Sequence, residues 1–68
     1  MYYSLHPRFM LNGKALPKDQ RRLAFWWLNE EPATRQKLYS TEAEASAVAD
    51  TAPLHIKSLL AVCETIPL

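Results

Sequence analysis

Tyr2 to Leu11 is a bulky, aromatic stretch interrupted by Pro7 and followed by Asn12-Gly13. Asn-Gly tolerates positive φ at both central positions of a two-residue turn, so the pattern predicts a strand and a chain reversal there. Proline cannot donate to a sheet ladder, which makes this first strand short or an edge strand. Pro17 to Gln20 reads as a polar connection. Arg21-Arg22-Leu23-Ala24-Phe25-Trp26-Trp27-Leu28 follows, and its adjacent aromatics suit a pleated surface better than one helical stripe, so a central strand is predicted. Asn29 to Thr34 breaks the apolar pattern with turn residues. Arg35 to Tyr39 then alternates polar and apolar positions, as the arm of a hairpin does.

Thr41-Glu42-Ala43-Glu44 carries the signature of a helix start, a threonine N-cap with a glutamate three places on. Glu42 and Glu44 would sit in the first turn, where the positive end of the helix dipole favours them. Ala43, Ala47 and Val48 would share the face packed on the sheet, and Ala52-Pro53 would end the helix, since the residue before proline leaves the helical region. Leu54 to Ile66 fits two patterns. Ile56, Leu59, Leu60 and Cys63 make a helical stripe, whereas Ile56, Ser58, Leu60, Val62, Glu64 and Ile66 alternate only imperfectly for a strand. A final strand is favoured, because strand, capped helix and returning strand form a sheet covered by one helix that shields the aromatic run. The expected fold is therefore α+β, a small antiparallel sheet of about three strands under one Thr-capped helix, in a single domain over 1–68. The alternative is a mostly α protein with a C-terminal helix over 54–66.

Composition narrows the function more than it names it. The chain has 68 residues, 49% apolar, with one glycine, one cysteine and a net charge of +1. A core of this size supplies only a few kcal/mol of net stability, roughly, so a partner or a homodimer is expected. The longest apolar run, Leu23 to Leu28, is far short of the roughly 18 residues of a membrane span. Met1 to His6 lacks the start of an export signal, which predicts a cytoplasmic chain. Cys63 is expected to be a reduced, small hydrophobe. His6 and His55 have no metal-ligand spacing, and a lone Gly13 builds no phosphate loop, so neither metal nor cofactor is expected. The charge is uneven. Arg8, Lys14, Lys18, Arg21 and Arg22 face only Asp19 in the first part, while Glu30, Glu31, Glu42, Glu44 and Asp50 outnumber Arg35 and Lys37 in the middle. That leaves no whole-protein basic field for duplex DNA, but a local basic face is compatible with it.

Catalysis is not expected. Ser4, Ser40, Ser46, Ser58 and Cys63 lie in no nucleophile motif, neither histidine has a carboxylate nearby in sequence, and Glu30-Glu31 reads as a solvated turn. The candidate binding residues are Arg21, Arg22, Trp26, Trp27, Arg35 and Lys37. In a strand, adjacent tryptophans point to opposite faces, so one of Trp26 and Trp27 would enter the core and the other would be left as an anchor. Tryptophan and arginine dominate binding hot spots. If Arg35 and Lys37 lay on the pairing arm, the open face would mix guanidinium groups with rings and grip a larger host protein. The alternative partner is nucleic acid. The same face would take single strands, or Thr41 to Leu60 would form a helix-turn-helix with Ala45, Ala49, Ile56 and Leu59 inside and only His55, Lys57 and Ser58 to offer a major groove.

Leu38-Tyr39-Ser40-Thr41-Glu42-Ala43-Glu44-Ala45 followed by an apolar segment resembles, in its strand, Thr-capped Ala-rich helix and strand, the layout of small phage-encoded accessory proteins such as the T7-type inhibitor of host RNA polymerase. The resemblance covers roughly residues 35 to 66 and is one of pattern, so it carries over no binding residue. It implies a phage or mobile-element inhibitor that works by occluding a host protein.

Overall fold

The computed structural model describes residues 1–32 and 34–66. Ala33, within the turn expected over Asn29 to Thr34, and residues 67–68 of the expected single domain lie outside the described residues. The order of elements is β1 (Tyr2–Pro7), β2 (Met10–Leu11), β3 (Lys14–Ala15), α1 (Lys18–Leu28), α2 (Glu42–Asp50), α3 (Leu54–Lys57) and β4 (Leu60–Thr65). The class is α+β, with antiparallel strands in two small sheets, β1 with β4 and β2 with β3.

β2 and β3 form the expected reversal. Asn12 and Gly13 have φ of 53° and 77°, the left-handed values that a type I′ turn demands and that asparagine and glycine supply cheaply. Pro7 closes β1 rather than interrupting it, opposite Leu60. The β1–β4 register runs from Tyr2↔Thr65 to Pro7↔Leu60. Tyr3 and Leu5 therefore share a face with Leu60 and Val62, and helices cover it. Leu5 and Leu60 join a core with Leu16, Ala24, Trp27, Leu28, Tyr39, Ala45, Ala49, Ala52, Ile56 and Leu59. The opposite face carries Tyr2, Ser4, His6, Ala61, Cys63 and Thr65. On the side of β1 away from β4, Tyr3 exchanges both backbone hydrogen bonds with Tyr39, at 2.9 and 2.7 Å.

Residues 21–28 form a helix, not the expected central strand. Ala24, Trp27 and Leu28 fall at i, i+3 and i+4 and are buried, while Leu23, Phe25 and Trp26 are exposed. The carbonyl end of α1 is closed by residues beyond it. The Asn29 backbone N–H donates to Phe25 and Trp26, and its side-chain amide donates to Phe25 O at 2.9 Å. The Arg35 and Gln36 backbone N–H groups donate to Leu28 O, the Thr34 hydroxyl to the same carbonyl, and the Arg35 guanidinium to Trp27 O at 2.8 Å. A cation among the last carbonyls also complements the negative end of the helix dipole. Arg35 to Tyr39 thus serves α1 and β1. It does not pair with 21–28 as a hairpin arm.

α2 begins where the sequence places it, with the Thr41 hydroxyl accepting from the Glu44 N–H at 3.2 Å. Thr41→Ala is expected to remove about 1 kcal/mol of stability, read as a lower urea midpoint, and Thr41→Ser to retain it. The face of α2 is corrected. Ala45 and Ala49 are buried with Val48 against them, and Ala43 and Ala47 are exposed. Residues 54–66 combine both expected structures: one helical turn after Pro53, then a strand from Leu60. The sheet itself is narrower than expected, with the third arm reduced to the single bridge at Tyr39, and among the described residues three helices stand in place of one.

Candidate functional site

α1 carries large apolar side chains on both its inner and outer faces, Trp27 and Leu28 within and Leu23, Phe25 and Trp26 without. Lys18, Arg22 and Trp26 follow one another at steps of four and form a ridge along its outside. Phe25 flanks that ridge on one side and Leu23 on the other. Trp26 is 61% exposed, against 9% for Trp27. The doublet is split, by the helical step of about 100° rather than by strand alternation.

The surface continues past Phe25. Arg21 lies with its guanidinium 4.4 Å from the centre of the Phe9 ring, within the range of a cation–π contact. Its Nε is enclosed and has no hydrogen-bond partner among the described residues. Phe9, Met10, Arg21 and Phe25 wall an open cleft of about 730 Å³ whose floor includes His6, Ala61 and Cys63. Phe9 is 70% and Met10 53% exposed, so the apolar surface runs from the β2–β3 hairpin to Phe25 on α1. Lys18, Arg22 and Arg21 line the adjoining hollow with Phe25 and Pro7, which makes the whole area aromatic and basic.

Of the residues picked from sequence, Arg21, Arg22 and Trp26 come together on this surface. Trp27 is in the core. Arg35 stacks at 4.3 Å over the Trp27 ring, holds the end of α1, and lies 3.5 Å from the Glu30 carboxylate, so it serves the fold rather than an open face. Lys37 sits 5.4 Å over the Tyr39 ring, beside a small hollow with Ser4, His6 and Leu38. Burial pushes the Tyr39 hydroxyl above its usual value of 10.0, with Arg35 pulling the other way. The phenol is therefore protonated at neutral pH and donates to the Arg35 carbonyl at 2.7 Å. Phe9, Met10, Leu23 and Phe25 were missed, and the signal for the last two was the same apolar run that concealed the helix.

One further cluster has the residue types of chemistry. The Ser4 hydroxyl is 2.8 Å from His6 Nε2 and 2.8 Å from the Thr65 hydroxyl. A nucleophile beside an imidazole needs a third group to orient the base and donors for an oxyanion. No side chain among the described residues hydrogen-bonds the other nitrogen of His6, and the Ser4 hydroxyl already shares its bonding with Thr65. The second helix of the helix-turn-helix layout is also short. Ala45, Ala49, Ile56 and Leu59 are buried as that layout requires, but α3 has 4 residues, about 6 Å of helix, before the chain turns into β4. No helix is long and apolar enough to cross a membrane, among the described residues.

No family model, curated protein or solved structure matches the chain.

Proposed function

We propose that this chain is a non-enzymatic protein-binding module that acts by covering a surface of a larger host protein, through the outer face of α1 and the adjoining β2–β3 hairpin. The observation that carries this reading is the exposure of Trp26 on a ridge shared with Lys18 and Arg22 and flanked by Phe25, which itself lines a cleft with Phe9 and Met10. Large exposed apolar patches rimmed by polar residues mark interaction sites in proteins. Trp26 is the anchor, with a desolvated indole supplying affinity, and the cations around it favour an acidic partner surface, speeding approach and fixing register. Inhibition by occlusion, which the sequence pattern over residues 35–66 led us to expect, is the activity such a module performs. A one-turn α3 and an incompletely equipped Ser4–His6 pair support this reading over duplex DNA binding and over hydrolysis.

Single-stranded nucleic acid is the competing occupant, since stacked rings and arginines also hold bases. The test is capture from a host lysate with the wild type, Trp26→Ala and Arg22→Glu, with and without nuclease and at low and moderate salt. A protein retained by the wild type after nuclease, lost by Trp26→Ala and weakened only mildly by salt is the expected result. Capture abolished by nuclease, or falling steeply with salt as counterion release requires, would assign the face to nucleic acid instead.

A further inference from the structure

The outer edge of β4 is unoccupied among the described residues, and its hydrogen-bonding phase is fixed by contacts elsewhere. Tyr3 gives both its N–H and its C=O to Tyr39, so Tyr3 and Leu5 turn their backbone groups away from β4, while Ser4 and His6 turn theirs toward it. The Arg8 N–H bond to Leu59 O, at 2.8 Å, has the same parity. Through the register, Cys63 and Ala61 exchange bonds with Ser4 and His6, whereas Val62 and Glu64 direct their N–H and C=O groups out of the sheet.

Natural edges are protected by lysine, proline, bulges or covering segments. β4, Leu-Ala-Val-Cys-Glu-Thr, carries a single charge, Glu64, has no lysine or proline, and pairs with β1 in unbroken register. The helical layer also stops short of it. Val62 is 37% exposed although Leu5, directly opposite on the same face, is fully buried. A two-stranded sheet is marginal alone, and this one ends in a template guarded by one carboxylate, Glu64.

We infer that β4 pairs antiparallel with β4 of a second copy across a two-fold axis at Cys63, joining two two-stranded sheets into one of four strands. The strand is self-complementary about that point. The outward groups of Val62 meet those of Glu64 in the second copy, and the reverse, so both outward pairs flanking the axis are satisfied at once. Each carboxylate then lies opposite a valine. A two-fold at Glu64 would set the two carboxylates against each other, which is unfavourable, and one at Val62 would oppose Glu64 to the buried Leu60. At the axis the two Cys63 residues form a non-hydrogen-bonded pair, with Cα atoms about 4.5 Å apart, at the short end of the disulfide range. A closed two-fold contact uses up both edges and ends growth at two.

Sedimentation equilibrium of the full chain over a concentration series tests this, with Glu64→Pro as the blocking variant. The Glu64 N–H faces outward, so proline there removes a bond to the second copy and none to β1. The wild type is expected to pass from monomer to dimer, and Glu64→Pro to remain monomeric with an unchanged circular dichroism spectrum. Register is tested by a second pair that does not depend on the fold of the first. Val62→Lys places a cation opposite Glu64 of the second copy at two sites, and Val62→Glu places a carboxylate there. The lysine variant should dimerise at least about tenfold more tightly. Diamide, which accepts the two electrons and two protons given up as two thiols become a disulfide, should link Cys63 to Cys63 in the wild type and not in Glu64→Pro. A wild type monomeric throughout, growth beyond two copies, a folded Glu64→Pro that dimerises equally, or equal affinities for the two Val62 variants would overturn the proposal. The β4 contact borders the cleft that Phe9, Met10 and Phe25 wall, since Cys63 and Glu64 line it too. Trp26 does not line it, so Trp26→Ala should dimerise like the wild type, and loss of the Trp26 anchor and loss of the dimer are read separately.

Discussion

Trp27→Ala is expected to leave the chain largely unfolded at room temperature. The ring is 9% exposed, is capped by the Arg35 guanidinium at 4.3 Å, and sits with Leu28 and Ala24 where α1 meets the core. Removing a buried tryptophan costs about 3–5 kcal/mol, and a domain of this size holds little more than that in total. Arg35 would also lose the ring it lies on, although it would keep its bond to the carbonyl of residue 27. The neighbouring change should do almost nothing to the fold. Trp26→Ala removes a side chain that is 61% exposed, and surface changes of that kind stay within about 0.5 kcal/mol. Urea titrations followed by far-ultraviolet circular dichroism measure both. Tryptophan emission gives a second readout, because Trp26→Ala keeps only the buried indole and should emit to the blue of the wild type. Equal losses in the two variants would mean that the doublet is not divided between core and surface, and the binding anchor would go with it.

Leu5→Ala should be the other severe substitution, at about 2–5 kcal/mol. Leu5 is 0% exposed and belongs to β1, against which both α1 and α2 pack. Its cross-strand neighbour makes the internal control. Val62 occupies the same rung and the same face but is 37% exposed. Val62→Ala in the monomer should cost roughly 1 kcal/mol or less, since it removes about two methyl groups from a half-covered site. The difference between the two midpoints measures how far the helices extend across the sheet. Comparable losses would show that β4 is covered as fully as β1.

The parts of the fold legible in the sequence are those whose cause is local. Asn12-Gly13 needs only its own backbone freedom to turn the chain, Thr41 needs only the N–H of Glu44, and Pro53 ends the preceding helix by clashing with its neighbour. α1 is not legible in the sequence because its cause is not local. Leu23, Phe25 and Trp26 are apolar on the solvent side and erase the helical period, and the groups that close the carbonyl end come from Asn29, Thr34, Arg35 and Gln36 after an intervening turn. Leu54 to Ile66 resisted a single assignment for the plain reason that it holds two elements, a turn of helix and a strand. The candidate site was half legible. The inequality of Trp26 and Trp27 follows from adjacency in either a strand or a helix, so it survived the wrong choice of element. The placement of Arg35 beside the exposed indole did not, because it depended on a hairpin the chain does not make. Phe9 and Met10 join the surface through tertiary packing of a hairpin on α1, which no spacing along the chain displays.

Tyr2 and Thr65 face each other at one end of the β1–β4 ladder, so β1 waits for β4, which leaves the ribosome much later. Until residues near 60 have emerged, β1 has no ladder to join, and its apolar rung at Leu5 has only a partial roof. Folding should therefore be all-or-none and late, and chains cut before β4 should be degraded rather than accumulate as a smaller working unit. The same adjacency makes the unit from Tyr2 to Thr65 easy to graft: those two residues are neighbours, so it can be spliced into a surface loop of another protein without pulling that loop apart.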